Sequence, residues 1–323
     1  MIDSQRGQMK ILIVQIGRIG DMILTTPMFG ALKERFPGSE LHVLTSPKGF
    51  PVIRMNPHLS KIILHRKGIA GMLGTVLTVR KERYDVWIDP KDHGSSESSF
   101  LARYSGAKEK IGFNKAGKHV FTAAVPSEQE NYSLHAVERN LLSLASLGCA
   151  VNNARRPELF VSAEVEIRTA SIVQGKRKIA VVNISAGQAT RRWSTEGWSR
   201  VIERCLQRNF DVAVAFQPAD ERQAREFKQR FPDIIVADSP SIEYAVALVK
   251  RASLVVSVDT SIVHIASAFD IPIVALYPDV EWNLNKFKPL STRQSVIVSS
   301  SPVSLLDISP DAVLSRIDGL TAQ

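Results

Sequence analysis

The sequence predicts an α/β protein made of two doubly wound domains. Three observations carry that expectation. Runs of β-branched and aliphatic residues alternate with helix-like segments from residue 11 to residue 277, the order expected of parallel sheets covered by helices on both faces. The alternation pauses once, at a polar, proline-bearing stretch over residues 152–157, and then begins again. Finally, 323 residues leave room for two domains of about 100–200 residues each. Residues 1–156 are assigned to the first domain and 157–323 to the second.

The elements follow in order. Residues 11–16, Ile-Leu-Ile-Val-Gln-Ile, read as a buried strand, Gly17 to Asp21 as a glycine loop, and the following stretch to Phe36 as one helix stopped by Pro37-Gly38. Strands are expected over 41–45, 61–65 and 85–89, a helix over 70–83, and a long amphipathic helix over 133–147. In the second half, strands are expected over 178–184, 211–216, 254–258 and 271–277, with a short one at 234–236. Helices are expected over 194–208, 220–230 and 242–251, and after Asp259. A last helix over 310–317 has no fixed place and is allowed to pack back on the first domain.

Composition narrows the function. Hydrophobic residues at 44% and charged residues at 23% exclude disordered and collagen-like classes. No apolar run approaches the roughly 18 residues of a membrane span, and the polar start over residues 1–8 has no signal core. A cytoplasmic protein is expected. Cys149 and Cys205 are too few and too far apart for a disulfide framework and are expected in the core. The net charge of +9 lies wholly in residues 1–156, which hold 22 basic and 13 acidic residues, whereas residues 157–323 hold 19 of each. Such a surface attracts something anionic: nucleic acid, an acidic membrane face, or a phosphorylated or carboxylated substrate. No zinc-finger spacing, aromatic RNP-like run or long basic helix accompanies it, so nucleic acid is not the expected partner.

Ligands of open parallel sheets bind beyond the carboxyl ends of strands, which singles out three loops. Gly17-Arg18-Ile19-Gly20-Asp21 offers glycines that let a ligand approach the backbone and a helix start with open N–H groups. It lacks the third glycine of a dinucleotide fingerprint, and Asp21 could equally be a helix cap. Asn183-Ile184-Ser185-Ala186-Gly187, followed by Arg191-Arg192-Trp193, joins small residues to guanidinium groups suited to a diphosphate, or simply to solvated arginines. Ser194 or Thr195 would cap the next helix. Asp259-Thr260-Ser261-Ile262-Val263-His264 gathers a carboxylate, hydroxyls and N–H groups at a helix start, with His264 one turn on, either as a ligand contact or as a packing residue. No metal site is expected, and no cofactor.

At these loops the sequence resembles glycosyltransferase family 9, the bacterial ADP-heptose:lipopolysaccharide heptosyltransferases. The resemblance runs through Gly20-Asp21-Met22-Ile23-Leu24-Thr25-Thr26-Pro27, Arg83-Tyr84-Asp85, Ile111-Gly112-Phe113 and His135-Ala136-Val137-Glu138-Arg139. It continues through Arg191-Arg192-Trp193, Asp259-Thr260 with His264, and Pro272-Ile273-Val274-Ala275-Leu276-Tyr277. It implies a GT-B fold, two Rossmann-like domains facing across a cleft, with an N-terminal acceptor domain and a C-terminal nucleotide-sugar domain. It further implies inverting transfer of heptose from an ADP-sugar donor to the anionic lipopolysaccharide inner core at the cytoplasmic face of the inner membrane, which fits the basic first half.

Asp21 matches the family's catalytic base. The resemblance assigns donor binding to Ser185, Gly187, Arg191, Asp259, Thr260, Ser261 and His264, and a ribose contact to Glu221; Gly17 and Gly20 form the glycine loop. Three departures stand out. Arg191 occupies a position that is usually lysine, Ser261 stands where glycine is usual, and Pro278-Asp279 replaces Gly-Pro-Thr ahead of an unfamiliar segment to Leu290. Ala186 and Gly187 replace hydroxyl residues of some members. Another sugar or acceptor on the same fold, or a binding protein without turnover, are the alternatives.

Overall fold

The computed structural model describes residues 8–115, 119–150, 155–175, 178–238 and 240–322. The start of the chain over residues 1–7, and residues 152–154 of the expected linker, lie outside the described residues. The chain divides into two compact units, Met1–Glu158 and Leu159–Gln323.

In the first unit the order is β1 (Lys10–Gln15), α1 (Ile19–Thr25), α2 (Pro27–Arg35), β2 (Glu40–Thr45), α3 (Phe50–Ile53), β3 (Lys61–Leu64), α4 (Ile69–Glu82), β4 (Val86–Ile88), α5 (Ser96–Tyr104), β5 (Glu109–Gly112), β6 (Ala123–Ala124) and α6 (Ala136–Leu142). The second contains α7 (Ala163–Ile172), β7 (Lys178–Asn183), α8 (Thr195–Gln207), β8 (Phe210–Ala215), α9 (Glu221–Arg230), β9 (Ile235–Val236), α10 (Ile242–Val249), β10 (Ala252–Val258), α11 (Ser261–Ala268), β11 (Ile273–Tyr277), α12 (Glu281–Phe287), β12 (Gln294–Val298) and α13 (Pro310–Thr321).

Each unit holds one six-stranded sheet, ordered β3-β2-β1-β4-β5-β6 and β12-β11-β10-β7-β8-β9. All pairings are parallel. The two orders are the same doubly wound sequence, so each sheet reverses direction of winding at one place, between β1 and β4 and between β7 and β10. A crevice opens at such a reversal, beyond the strand ends. The middles of the central strands are apolar: Ile11, Leu12, Ile13 and Val14 of β1 and Ala180, Val181 and Val182 of β7 are fully buried, as strands covered on both faces must be.

Local chemistry corrects several expectations. The helix expected to run unbroken to Phe36 is two helices, because Pro27 lacks an N–H and cannot continue the ladder. The carbonyl of Ile23 instead accepts from the N–H and the hydroxyl of Thr26 (3.2 and 2.7 Å). The long helix expected over 133–147 is only α6 plus a single 3₁₀ turn at Ala145–Leu147. Ser143 Oγ donates to the Asn140 carbonyl at 2.6 Å, ending the helix, and Gly148 follows in the left-handed region. The last helix, α13, packs within the second unit. Val313, Leu314 and Ile317 enter the second core, and Asp318 pairs with Arg204 and Arg208 of α8 and its C-terminal end. Trp193 Nε1 donates to the Ile308 carbonyl at 3.0 Å. Both cysteines are buried, and burial pushes the Cys205 thiol up to about 12.

Candidate functional site

Residues of interest gather at the two reversals. In the first unit, β1 delivers the chain to the Gly17 loop, and Asp21 occupies the third position of α1, where its Oδ2 accepts from the Arg18 N–H at 3.2 Å. The capping role considered for Asp21 is therefore real. A Cβ at Gly17 would lie 2.8 Å from Gln15 Oε1 and 3.1 Å from Asp21 Oδ2, so a side chain there would displace the ends of these two side chains. Gln15 Oε1 accepts from the Gly17 N–H (3.1 Å), while Gln15 Nε2 donates to Thr25 Oγ1 (3.2 Å), which itself donates to the Asp21 carbonyl (2.8 Å). Gly20 falls within the first turn of α1. Asp21 is half-buried, held by one hydrogen bond and backed by a buried Gln-Thr pair.

The second unit is denser. Asn183, the last residue of β7, donates through Nδ2 to Ser257 Oγ (2.9 Å) on β10 and to Thr260 Oγ1 (3.1 Å). This stitches the strands on either side of the reversal. Thr260 in turn caps α11, its hydroxyl accepting from the Ile262 N–H at 3.3 Å. Next to it, Asp259 is 3% exposed and pairs with Arg191 (Nη1 to Oδ2, 3.0 Å). Arg191 Nη2 donates to Asn283 Oδ1 (3.2 Å), and Asn283 Nδ2 donates back to Asp259 Oδ2 (2.7 Å). Three side chains thus close a ring at the ends of β7 and β10 and the start of α11. The planar guanidinium makes this possible, since one arm reaches the carboxylate and the other the amide.

Asn283 belongs to α12, inside the segment the sequence left unread. Two further contacts bind that helix to the site: Tyr277 Oη donates to the Phe287 carbonyl at 2.7 Å, and the His264 ring lies 6.0 Å from that of Phe287. Burial, with the Asp259 carboxylate nearby, holds the Tyr277 phenol well above its ordinary range, so it stays a neutral donor. His264 itself is 5% exposed.

Ser185, Arg192 and Asp220 make a second cluster, linked to Thr260 through Asn183, whose Nδ2 also donates to the Ser185 carbonyl at 3.1 Å. Ser185 Oγ donates to Asp220 Oδ2 (2.6 Å) and accepts from the Gln217 N–H (2.9 Å), while Arg192 Nη2 donates to Asp220 Oδ1 (2.8 Å). Of the remaining expected residues, Ser261 opens α11 half-buried. Gly187 is exposed, with open space where a Cβ would stand. Glu221 is exposed at the first turn of α9 and pairs with Arg225 at 3.5 Å. The structure therefore brings Arg191, Asp259 and Thr260 together, seats His264 against α12, and leaves Gly187 and Glu221 apart from the ring. Asn283, Asp220 and Gln217 were missed. Extending the strand-end rule to the loop after β11 would have found Asn283.

The sequence profile of glycosyltransferase family 9 (heptosyltransferase) matches residues 75–304. The chain belongs to this family. Lipopolysaccharide heptosyltransferase 3 of Escherichia coli strain K12 is 27% identical over 282 residues, covering 80% of this chain and 79% of the relative. The glycosyl transferase family 9 structure from Veillonella parvula aligns with a TM-score of 0.85 at 19% identity over 97% of each chain. Escherichia coli ADP-heptose lipopolysaccharide heptosyltransferase II aligns at 0.81 and 20% identity, over 98% of this chain and 99% of the other. The fold is GT-B.

Several of the family-like motifs turn out to be architectural. Asp85 Oδ2 accepts from the Lys10 N–H (2.9 Å) and ties β4 to the start of β1. Gly112 leaves room for the Phe121 ring, which a Cβ would meet at 2.6 Å. Arg139 forms a buried ion pair with Asp92 at 2.6 Å. Asp21 follows the end of β1, and Arg191, Asp259 and Thr260 follow the ends of β7 and β10.

Proposed function

We propose that this family 9 glycosyltransferase is an inverting heptosyltransferase that moves heptose from ADP-heptose to a Kdo-bearing lipopolysaccharide inner core. It would act as a peripheral protein at the cytoplasmic face of the inner membrane. The observation that carries the reading is the Arg191-Asp259-Asn283 ring beside the capped start of α11. A guanidinium and a set of open helix N–H groups suit a sugar diphosphate. In this reading the acceptor hydroxyl attacks the anomeric carbon and gives its proton to Asp21. The bond from that carbon to the diphosphate breaks, and its electron pair leaves with ADP. Arg191 and the α11 N-terminus stabilise the charge that builds on the leaving group. Glu221 is assigned to the ribose, and residues 1–156, which carry all of the net +9, to the anionic acceptor.

A second reading keeps the fold and changes the sugar. Its support is α12, whose Asn283 joins the ring with Arg191 and Asp259 from a segment that departs from the family pattern. Transfer to a Kdo-lipid A acceptor with ADP-heptose and a panel of other nucleotide sugars separates the two. Turnover with ADP-heptose supports the first, turnover only with another donor supports the second, and nucleotide binding without turnover on any donor sinks both.

A further inference from the structure

α4 has the wrong outer face for a helix in water. Its inner side is ordinary: Thr75 and Val79 are buried, and Met72 and Val76 pack on the first core. Its outer side carries Ile69, Leu73 and Leu77 at 79%, 53% and 70% exposure. Spaced four apart, they form one row along the helix. A surface helix normally turns charged residues outward, yet no charged residue occurs between Gly68 and Val79. The charges stand at the two ends. Exposed Arg66 and Lys67 precede the helix, and exposed Arg80, Lys81 and Arg83 close it. Gly71 keeps the first group close, because a Cβ there would lie 1.9 Å from the Arg66 carbonyl oxygen; the incoming chain crosses directly over the first turn. The one acidic residue between 61 and 83, Glu82, is paired with Lys10 and Lys61.

We infer that this face of α4 docks on an anionic phospholipid bilayer. The Ile69-Leu73-Leu77 row enters the headgroup boundary, and the basic clusters at either end meet lipid phosphates, the arrangement of an in-plane amphipathic helix. At about 1.5 Å per residue the helix spans roughly 20 Å, so both clusters reach the surface at once. Charge selects this occupant over a second copy of the chain, which would bring its own basic clusters against these. The inference rests on the proposed function only in that it gives a lipid-borne acceptor a surface from which to be reached.

The test is co-sedimentation of the full chain with vesicles of phosphatidylcholine alone or with a one-third share of phosphatidylglycerol. The wild type should pellet with the anionic vesicles and not the neutral ones, and high salt should weaken binding. Leu73→Gln/Leu77→Gln should bind at least about tenfold more weakly, a loss of about 1.4 kcal/mol, with an unchanged melting temperature. Arg66→Gln/Lys67→Gln/Lys81→Gln should flatten the salt dependence. Equal binding to both vesicle types, or full binding by the leucine variant, overturns the proposal. So does a wild-type dimer that the leucine variant converts to monomer without loss of vesicle binding. Transfer to a detergent-dispersed acceptor, measured in parallel, separates the two claims: loss of transfer with intact vesicle binding refutes the proposed function alone.

Discussion

The two reversal points share one topology and use an aspartate in opposite ways. In the first unit Asp21 sits on a short helix, half-buried, with one backbone bond to its carboxylate. In the second, Asp259 is almost wholly buried and locked to Arg191 and Asn283. A group that must take a proton from a substrate needs an accessible oxygen. A group that must orient a guanidinium needs fixed partners. Under the proposed function, the difference suits Asp21 to chemistry and Asp259 to holding Arg191 and Asn283 in place, although both follow strand ends and both appear in the family-like motifs.

The largest effect that would sharpen this comparison is on stability. Asp259→Ala leaves the half-buried Arg191 guanidinium and the buried Asn283 amide without their carboxylate, which should cost ~2 kcal/mol and lower the melting temperature of the second unit by about 6 °C, read by calorimetry. A melting temperature within a degree or two of wild type would break the architectural assignment. Next comes Asn283→Leu, which removes both amide bonds of the ring while keeping its volume. Donor affinity should fall about tenfold by titration calorimetry; unchanged affinity would exclude α12 from the site. Arg191→Lys keeps the charge but not the fork, so one ammonium cannot span Asp259 and Asn283. Its loss of donor affinity should be smaller than that of Asn283→Leu, and a larger loss would mean that the guanidinium touches the diphosphate with both arms. Smallest is Glu221→Gln. The residue is exposed, so stability should change by less than about 0.5 kcal/mol, with a donor affinity loss below that of Arg191→Lys. No change in affinity at all would remove its ribose contact.

The architecture was legible because buried parallel strands announce themselves as unbroken aliphatic runs, such as Ile11 to Val14 and Ile179 to Val182. Short peripheral elements were not. β6 has two residues and β5 opens with Glu109 and Lys110, too little for periodicity to register. α12 was missed for another reason: its buried residue is the polar Asn283, whose value lies in partners 92 and 24 residues away in the chain. The same limit applies to Asp220 and Ser185, 35 residues apart and joined only by the fold. Asp21, Arg191 and Asp259 could be picked out because a strand end and a helix start flank each of them. Which of these carboxylates was left accessible was not written locally, since the bonds that consume Asp259 come from two distant segments, the turn at Arg191 and α12.

The central claim is that Asp21, besides capping α1, serves the reaction and not the donor. Asp21→Asn tests it most directly, with turnover on ADP-heptose and a Kdo-lipid A acceptor, donor affinity and melting temperature measured on one preparation. The account predicts turnover reduced by about 10²- to 10⁴-fold with affinity and melting temperature close to wild type. Retained turnover, or a loss of donor affinity that matches the loss of turnover, would contradict it.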